Sequence, residues 1–549
     1  MQFWRRGEPF VWASGGALAM ALSLTVAMLL VVLVNGAAVF WPWPLVEVLL
    51  EDGRRLLAIE VDRQWEPQGG RERIKYKVAN KEYGPDFVWV DADQVVEISY
   101  PAEAFVLERM AFLNYHGYLK QLDLPTLNVA LEGAPVERLA EAIAAAQRRV
   151  KAEVQPILAE QAALDRRLKQ QIEAQMLKVR YQRRKLLAAG AAADEAVVVK
   201  LRQRLEQLEA QRKQLLDQSD RLSAERQRTE NDIRSNVAVF VDSAGREKAM
   251  PLVDIVRGYC PNQMSLTQKL RFYVVKVWEL IWTDPRESNQ DGGLFPAIFG
   301  TVLMVLLMAV ACFPLGVLAG IFLGEYSREG PVVRVVRIAV ANLAGIPSIV
   351  YGIFGLGFFV YVVGGSLDRW FYPERVTADI QQPVFGQGCL LWASLTLGLL
   401  TIPVVIVATE EAIRTIPQSI REGSYALGAT KFQTLCRVLL PMSSPGIMTG
   451  FILAMARAAG EVAPLMITGM LKSAPVPVSS QFPFIHLERK FMHLGYHILD
   501  ISCKSPNVEA NQPMIYATTL LLLVIVLSLC STAIYLRNRM RKRYQLRAI

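Results

Sequence analysis

Residues 294–324 read LFPAIFGTVLMVLLMAVACFPLGVLAGIFLG, 31 positions without one charged side chain. A helix rises about 1.5 Å per residue, so roughly 20 such residues cross the hydrocarbon core of a bilayer. Backbone groups in lipid must be satisfied within their own segment, and this run is therefore expected to span as a helix. Working outward, apolar runs at roughly 12–40, 332–363, 388–409, 444–470 and 515–536 carry the same signature, giving six expected spans. Hydrophobic residues make up 52% of the 549 positions, yet 20% are charged, too many for a bundle of membrane helices alone. The expected class is a mainly α, polytopic membrane protein with a large water-facing part.

Lys and Arg near the ends of the spans set orientation. Arg5, Arg6, Arg328, Arg334, Arg337, Arg414, Arg421, Lys431, Arg437, Arg537, Arg539, Arg541, Lys542 and Arg543 all fall on one side of a six-span path. Both termini are then cytoplasmic, and 41–293, 364–387 and 471–514 lie outside. The net charge of +9 comes partly from these topology-setting cations and is no sign of nucleic-acid binding. The first run resembles a signal peptide in its Arg5-Arg6 start and small residues after Asn35, but it exceeds the usual 7–15-residue core, so a retained anchor is expected. Six cysteines without a CxxC pair, with Cys312 and Cys530 inside apolar runs, give neither a zinc site nor a disulfide framework.

Most of the charge lies in the 41–293 insertion. Leu56-Leu-Ala-Ile-Glu-Val, Ile74-Lys-Tyr-Lys-Val and Phe87-Val-Trp-Val are β-branched and aromatic and read as strands. From about Val136 to Ile233 the composition turns to Ala, Gln, Glu, Arg and Leu, which favours long helices. Val198, Leu201, Leu205, Leu208, Leu215 and Leu222 keep a 3-4 spacing, interrupted by Arg212 and Ser219. A looser stripe runs through Leu158, Leu164, Leu168, Ile172, Met176, Val179 and Leu186, and Gly190-Ala-Ala-Ala-Asp parts the two. An antiparallel coiled-coil hairpin within about 136–236, roughly 50 Å long, is expected, inserted in a small periplasmic α+β domain. Val237-Ala-Val-Phe-Val resumes the strand pattern, and Leu266–Trp282 reads as an amphipathic helix on the membrane surface.

Gly423, Gly428 and Thr430 have the spacing of a phosphate-binding loop, but Ala429 stands where its Lys must be, so the chain is not expected to hydrolyse ATP. His486, His493 and His497 sit in a segment (484–498) with the pattern of an amphipathic helix, where interface histidines are expected rather than metal ligands. The fifth run holds Arg457 and Glu461, four residues apart. Ionisable groups at bilayer depth face a bundle interior or an aqueous path and pair with one another. They are read either as a packing lock or as an oxyanion site, for which the planar guanidinium is suited. Pro347 and Pro403 mark expected interruptions of the third and fourth spans, with Asn342 and Ser348 as further pathway candidates.

The stretch from Glu410 to Pro441 reads as two short amphipathic helices meeting at Gly428, with Tyr425, Leu427 and Phe432 partly exposed. It resembles the cytoplasmic loop of the permease subunits of ABC importers: Glu422, Gly428, Val438, Leu440 and Pro441 match at the offsets of that motif, while Gly423 and Ser424 replace its two alanines. Phe295-Pro-Ala-Ile-Phe-Gly-Thr, Gly324-Glu-Tyr-Ser-Arg, Ile346-Pro-Ser-Ile-Val-Tyr-Gly, Ser444-Pro-Gly-Ile-Met-Thr-Gly and Ala456-Arg-Ala-Ala-Gly-Glu-Val-Ala-Pro-Leu resemble the PstA-type permeases of phosphate importers. Much of this text is also similar to the sister PstC type. The likeness covers about 285–549 and implies the six-helix type I ABC importer permease fold, in the bacterial inner membrane.

It further implies a second permease of the PstC kind, an ATPase dimer of the PstB kind that binds the ATP and Mg, and a periplasmic phosphate-binding protein of the PstS kind; no cofactor is implied in this chain. Arg457 and Glu461, with Asn342 and Ser348, would line the substrate pathway, and Glu422, Tyr425, Gly428, Leu440 and Pro441 would contact the ATPase. Sulfate or molybdate import and a membrane phosphate-sensing receptor are the competing readings. For the hairpin, a docking platform, a cell-wall contact and a clasp on the partner permease all stay open.

Overall fold

The computed structural model describes residues 8–66, 70–80, 82–127, 132–190, 195–286, 291–377, 380–479, 484–505 and 508–545. Arg5, Arg6, residues 191–194 at the parting of the two hairpin arms and the side chain of Arg543 lie outside the described residues. The backbone divides into two units, one formed by Met1–Phe40, Glu279–Tyr372 and Pro383–Ile549, the other by Trp41–Trp278 and Pro373–Gln382. The second unit ends at Trp278, where the expected insertion runs to 293, and it takes in residues 373–382. Helix α1 (Glu8–Ala38) opens the first unit.

The second unit contains two antiparallel sheets. Strands β1 (Val46–Leu50), β2 (Arg55–Glu66), β3 (Arg71–Lys77), β4 (Phe87–Asp91) and β5 (Val95–Ser99) form one, in the order β4-β3-β2-β1-β5. Val46, Val48, Ala58, Ile74, Tyr76 and Val90 share its buried face. Strands β6 (Phe105–Arg109) and β7 (Tyr115–Asp123) begin the other.

Between β7 and its sheet neighbour β8 the chain inserts helices α2 (Pro135–Arg149), α3 (Gln155–Arg167), α4 (Ala174–Ala188) and α5 (Ala196–Arg234). Helix α2 lays Leu139, Ala142, Ile143 and Ala146 on the sheet core of Phe105, Leu107, Phe240 and Ile255. Gly258 lies beneath it, where a Cβ would come within 2.6 Å of Leu139 Cδ2. Helices α3 and α4 run antiparallel to α5: Gln161 donates to Ser223, Glu173 pairs with Arg212 and Arg180 with Glu209. Arg212, which interrupts the apolar seam, thus has a partner on the opposite arm, while Met176, Leu205 and Leu208 supply the buried contact. Strands β8 (Val237–Val241), β9 (Glu247–Pro251) and β10 (Ile255–Tyr259) complete the order β10-β6-β7-β8-β9.

Helix α6 (Leu266–Trp282) sets Phe272 against Tyr259 and Lys276 on Glu108 at 2.6 Å, and exposes Leu266, Leu270, Val274 and Trp278.

The rest of the first unit is helical: α7 (Phe295–Tyr326), α8 (Pro331–Leu343), α9 (Ser348–Phe371), α10 (Leu390–Arg414), α11 (Gln418–Ala426), α12 (Lys431–Gly460), α13 (Ala463–Thr468), α14 (Leu494–Leu499) and α15 (Val508–Gln545). Among the described residues six helices are long and apolar enough to cross a membrane: α1, α7, α9, α10, α12 and α15. Helix α10 is central, and small residues set its spacing. A Cβ on Gly398 would meet Cys312 Sγ of α7 at 1.8 Å, and one on Gly450 of α12 would meet Ala408 Cβ at 2.4 Å. Such close backbone approach is how helices associate where lipid removes the hydrophobic drive. At the end of α1, a Cβ on Gly36 would lie 2.9 Å from Tyr516 O of α15.

Four expectations need correction. The third span starts at Ser348, because Pro347 cannot continue a helix and the residues before it form the separate amphipathic α8. The fourth is not interrupted: α10 runs through Pro403. The second loop helix is not short but is the first turn of α12, and that span ends at Gly460, leaving Glu461 extended just beyond it. Residues 484–493 are not helical. Their backbone caps α10, Arg489 O and Leu487 O accepting the otherwise unpartnered N–H groups of Leu390 and Leu391.

Candidate functional site

Two interrupted helices meet in the first unit. Helix α8 ends at Leu343 and α9 begins at Ser348; α12 ends at Gly460 and α13 begins at Ala463 with Pro464 in its first turn. One apolar cluster holds both breaks, with Tyr351, Ile346, Ala458, Ala459, Val462 and Leu465 as members. Gly352 permits it: a Cβ there would stand 2.7 Å from the Pro464 Cα. The Tyr351 hydroxyl donates to Leu343 O at 2.8 Å and closes the first break.

At the second break Arg457, in the last turn of α12, donates from Nε to Glu461 Oε1 at 3.4 Å. Side-chain exposures of 37% and 21% leave the pair open, and among the described residues the terminal guanidinium nitrogens have no hydrogen-bond partner. The guanidinium thus keeps its terminal donors open while one carboxylate engages its Nε. Asn342 is exposed at the end of α8 and Ser348 half-buried at the start of α9; among the described residues neither bonds Arg457.

The loop joining α10 to α12 is the second candidate. Gly428, at φ +82°, makes the turn that only glycine adopts without strain. Glu422, Leu427 and Phe432 are exposed, Leu427 at 91%. Tyr425 is half-buried, with its hydroxyl 3.4 Å from Glu325; burial, then that carboxylate, raises its phenol above the ordinary range. Leu440 and Pro441 are half-buried inside α12. Ser424, one of the two departures from the loop motif, bonds Thr434 at 2.9 Å across the turn.

Sequence reasoning missed what lies behind this loop. Arg421 is buried and bonds Glu325, Ile413 O and Ile416 O. Beside it Arg337 of α8 bridges Glu410 at 2.7 Å and Glu329 at 3.1 Å, and Arg414 pairs with the same two carboxylates. Hydrogen bonds from Arg337 and Arg414 hold exposed Glu329 below the usual carboxylate range. A cavity of about 260 Å³ lies among Leu323, Arg337, Val407, Glu410 and Arg414. The available signal was the charged Glu325 directly after the long apolar run of α7.

His493 and His497 are buried, and desolvation pushes both down to about 4; His493 Nδ1 accepts from Gly495 N at the start of α14. His486 bonds Glu488 and Ser479.

Residues 316–543 match the family model of binding-protein-dependent transport system inner membrane components. The chain is 34% identical over 258 residues to the phosphate transport system permease protein PstA of Yersinia pestis, an alignment covering 46% of this chain and 76% of that protein. The chain belongs to this family. A Mycobacterium leprae permease protein PstA is 36% identical over 176 residues, 32% of this chain. The chain spans about half the length of that relative (51%). A probable PstA from Methanocaldococcus jannaschii is 30% identical over 241 residues, covering 44% of this chain and 74% of that one. Within the family the chain is PstA-type, a multi-pass inner-membrane component with Arg457, Glu461 and the 415–430 loop inside the matched stretch. Residues 41–278 of the second unit lie outside it, and its 373–382 segment lies inside.

Proposed function

We propose that the chain is one permease subunit of an ATP-driven inorganic phosphate importer. The observation that carries this is the half-open Arg457–Glu461 pair at the meeting of two helix breaks, within the stretch that matches the family model. Helix breaks at membrane depth are tolerated where they line a path, and conduction needs an attraction weak enough for the anion to leave. Arg457 supplies two free terminal nitrogens; Glu461, already holding Nε, limits the affinity. Asn342 and Ser348 lie along the same path. Glu422, Tyr425, Gly428, Leu440 and Pro441 belong to the surface that meets the ATPase.

In this reading both termini are cytoplasmic, the sheet-and-hairpin unit is periplasmic and α6 rests on the membrane surface. A PstC-like permease completes the pathway, a PstB-like ATPase dimer binds ATP and Mg, and a PstS-like protein delivers phosphate; this chain needs no cofactor of its own. The test is uptake of labelled phosphate by vesicles carrying the chain with these partners. ATP-dependent uptake that excess sulfate and molybdate leave intact is expected; sulfate uptake in its place, or copurification with a kinase and no transport, overturns the reading.

A further inference from the structure

The buried face of the 415–430 loop carries a joint of its own, apart from the exposed face that would meet an ATPase. Glu325 lies in the final turn of α7, whose extended cap begins at Ser327. Its side chain is 7% exposed and that of its partner Arg421 is 10% exposed, at 3.1 Å. Arg421 spends its remaining nitrogens on Ile413 O at 2.8 Å, in the last turn of α10, and Ile416 O at 2.6 Å, just past its cap. Tyr425 approaches the second carboxylate oxygen. One guanidinium therefore ties together the end of α7, the end of α10 and the whole of α11. Around it Ile321, Ile413, Ile416, Leu435 and Leu439 form a closed apolar cluster that also includes the first turns of α12.

Removing one member of a buried ion pair leaves the other charge unsolvated, so this joint resists separation more strongly than exposed pairs do. Lys at position 421 would keep the charge but could not hold a carboxylate and two carbonyls in one plane. On its outer side the same short helix exposes Glu422, and Leu427 follows it. A helix bolted inward by its buried arginine and presented outward by its neighbours passes displacement on rather than absorbing it.

We propose that Glu325 and Arg421 are positioning residues that make α11 and the ends of α7 and α10 one rigid body, so that work done on the exposed face of the loop reaches the spans. This rests on the importer reading above. The pair touches neither substrate nor nucleotide; it sets how much transport each ATP yields.

The experiment measures phosphate uptake and ATP hydrolysis in the same vesicles of the complete complex. Glu325→Gln is expected to lower uptake at least tenfold while hydrolysis and copurification with the ATPase stay within about twofold; Glu325→Asp recovers part of the uptake. Glu329→Gln, which removes an 80% exposed carboxylate from the neighbouring pairs, keeps the wild-type ratio. Unchanged uptake per ATP in Glu325→Gln, or uptake lost only in step with copurification, overturns the proposal. If Glu325→Gln does not accumulate, Arg421→Lys decides by the same ratio: lowered supports the joint, unchanged overturns it. A wild-type complex that imports no phosphate sinks the importer reading as well, whereas Glu325→Gln matching an active wild type sinks the joint alone.

Discussion

Replacing Arg457 by Gln tests the pathway directly, and the structure sets the size of the effect. Hydrogen bonds to charged groups contribute about 1.5–3 kcal/mol each, and two terminal nitrogens of Arg457 are available. The side chain is 37% exposed, so solvent screening argues for the equivalent of one such bond rather than two. At 1.4 kcal/mol per tenfold, the loss is roughly 10- to 150-fold in uptake at low phosphate concentration. Arg457→Lys keeps the charge but not the two-pronged contact and should fall between.

Glu461→Gln separates the alternatives. If Glu461 only competes for the guanidinium, removing its charge preserves or raises uptake at low phosphate. If the pair is a packing lock, Glu461→Gln and Arg457→Gln lower membrane abundance and uptake together. The assay is initial uptake of labelled phosphate normalised to complex recovered by affinity purification. Normal uptake by Arg457→Gln, or parallel loss of abundance in both variants, refutes the reasoning.

Three further outcomes are expected. Gly398→Leu places side-chain atoms where Cys312 Sγ stands, within 1.8 Å of the first carbon, and forces α7 and α10 apart at a cost of at least about 1–3 kcal/mol; membrane abundance should drop, and normal abundance with normal uptake would contradict the packing described. Arg109→Ala removes a 5% exposed guanidinium that pairs with Glu82, which keeps Lys248, and bonds Phe112 O and Leu113 O, both at positive φ; the second unit should lose about 1–3 kcal/mol, read as a lower unfolding temperature of its sheets in the full chain. His116 is fully buried and desolvation depresses it to about 3 from 6.5, so only the unfolded chain gains its proton as pH falls below 6.5; stability of β6 and β7 is complete above that pH and declines by about 1.4 kcal/mol per unit down to 3, which hydrogen exchange at pH 7 and pH 5 should show in wild type and not in His116→Gln.

What could be read from the sequence divides along physical lines. The spans were legible because about 20 apolar residues without a charge are costly to leave in water and match the thickness of a bilayer. Their limits were not: Val332, Val335, Val336 and Ile338 give α8 the apolar content of a span, and only the pairing of Arg337 with Glu410 and Glu329 shows it to be a separate amphipathic helix. The break after Gly460 was hidden in an otherwise helix-forming stretch, with Gly460 itself and Pro464 as its signs. Arg457 and Glu461 were legible as a pair because four-residue spacing brings side chains together even where the helix stops. Glu325 and Arg421 were not, since 96 residues separate them and no local period joins them.

The two charge sites are linked through one element. Helix α12 runs from Lys431, just after the Gly428 turn, to Gly460, and Arg457 sits in its last turn. Thirty residues at about 1.5 Å each make a rod of roughly 45 Å. Its first turns lie in the apolar cluster around Arg421, through Leu435 and Leu439, and its far end stops at the break that holds Glu461. The loop end is therefore held by that cluster, and the break lies at the far end. A tilt of about 5° at the loop end moves the far end, carrying Arg457 and Glu461 together, by roughly 4 Å over that length. A small rigid movement is enough to change which groups the guanidinium faces. In the importer reading, no chemical change at Arg457 is needed for the anion to be held in one state and released in another, provided the loop end is firmly joined to the spans.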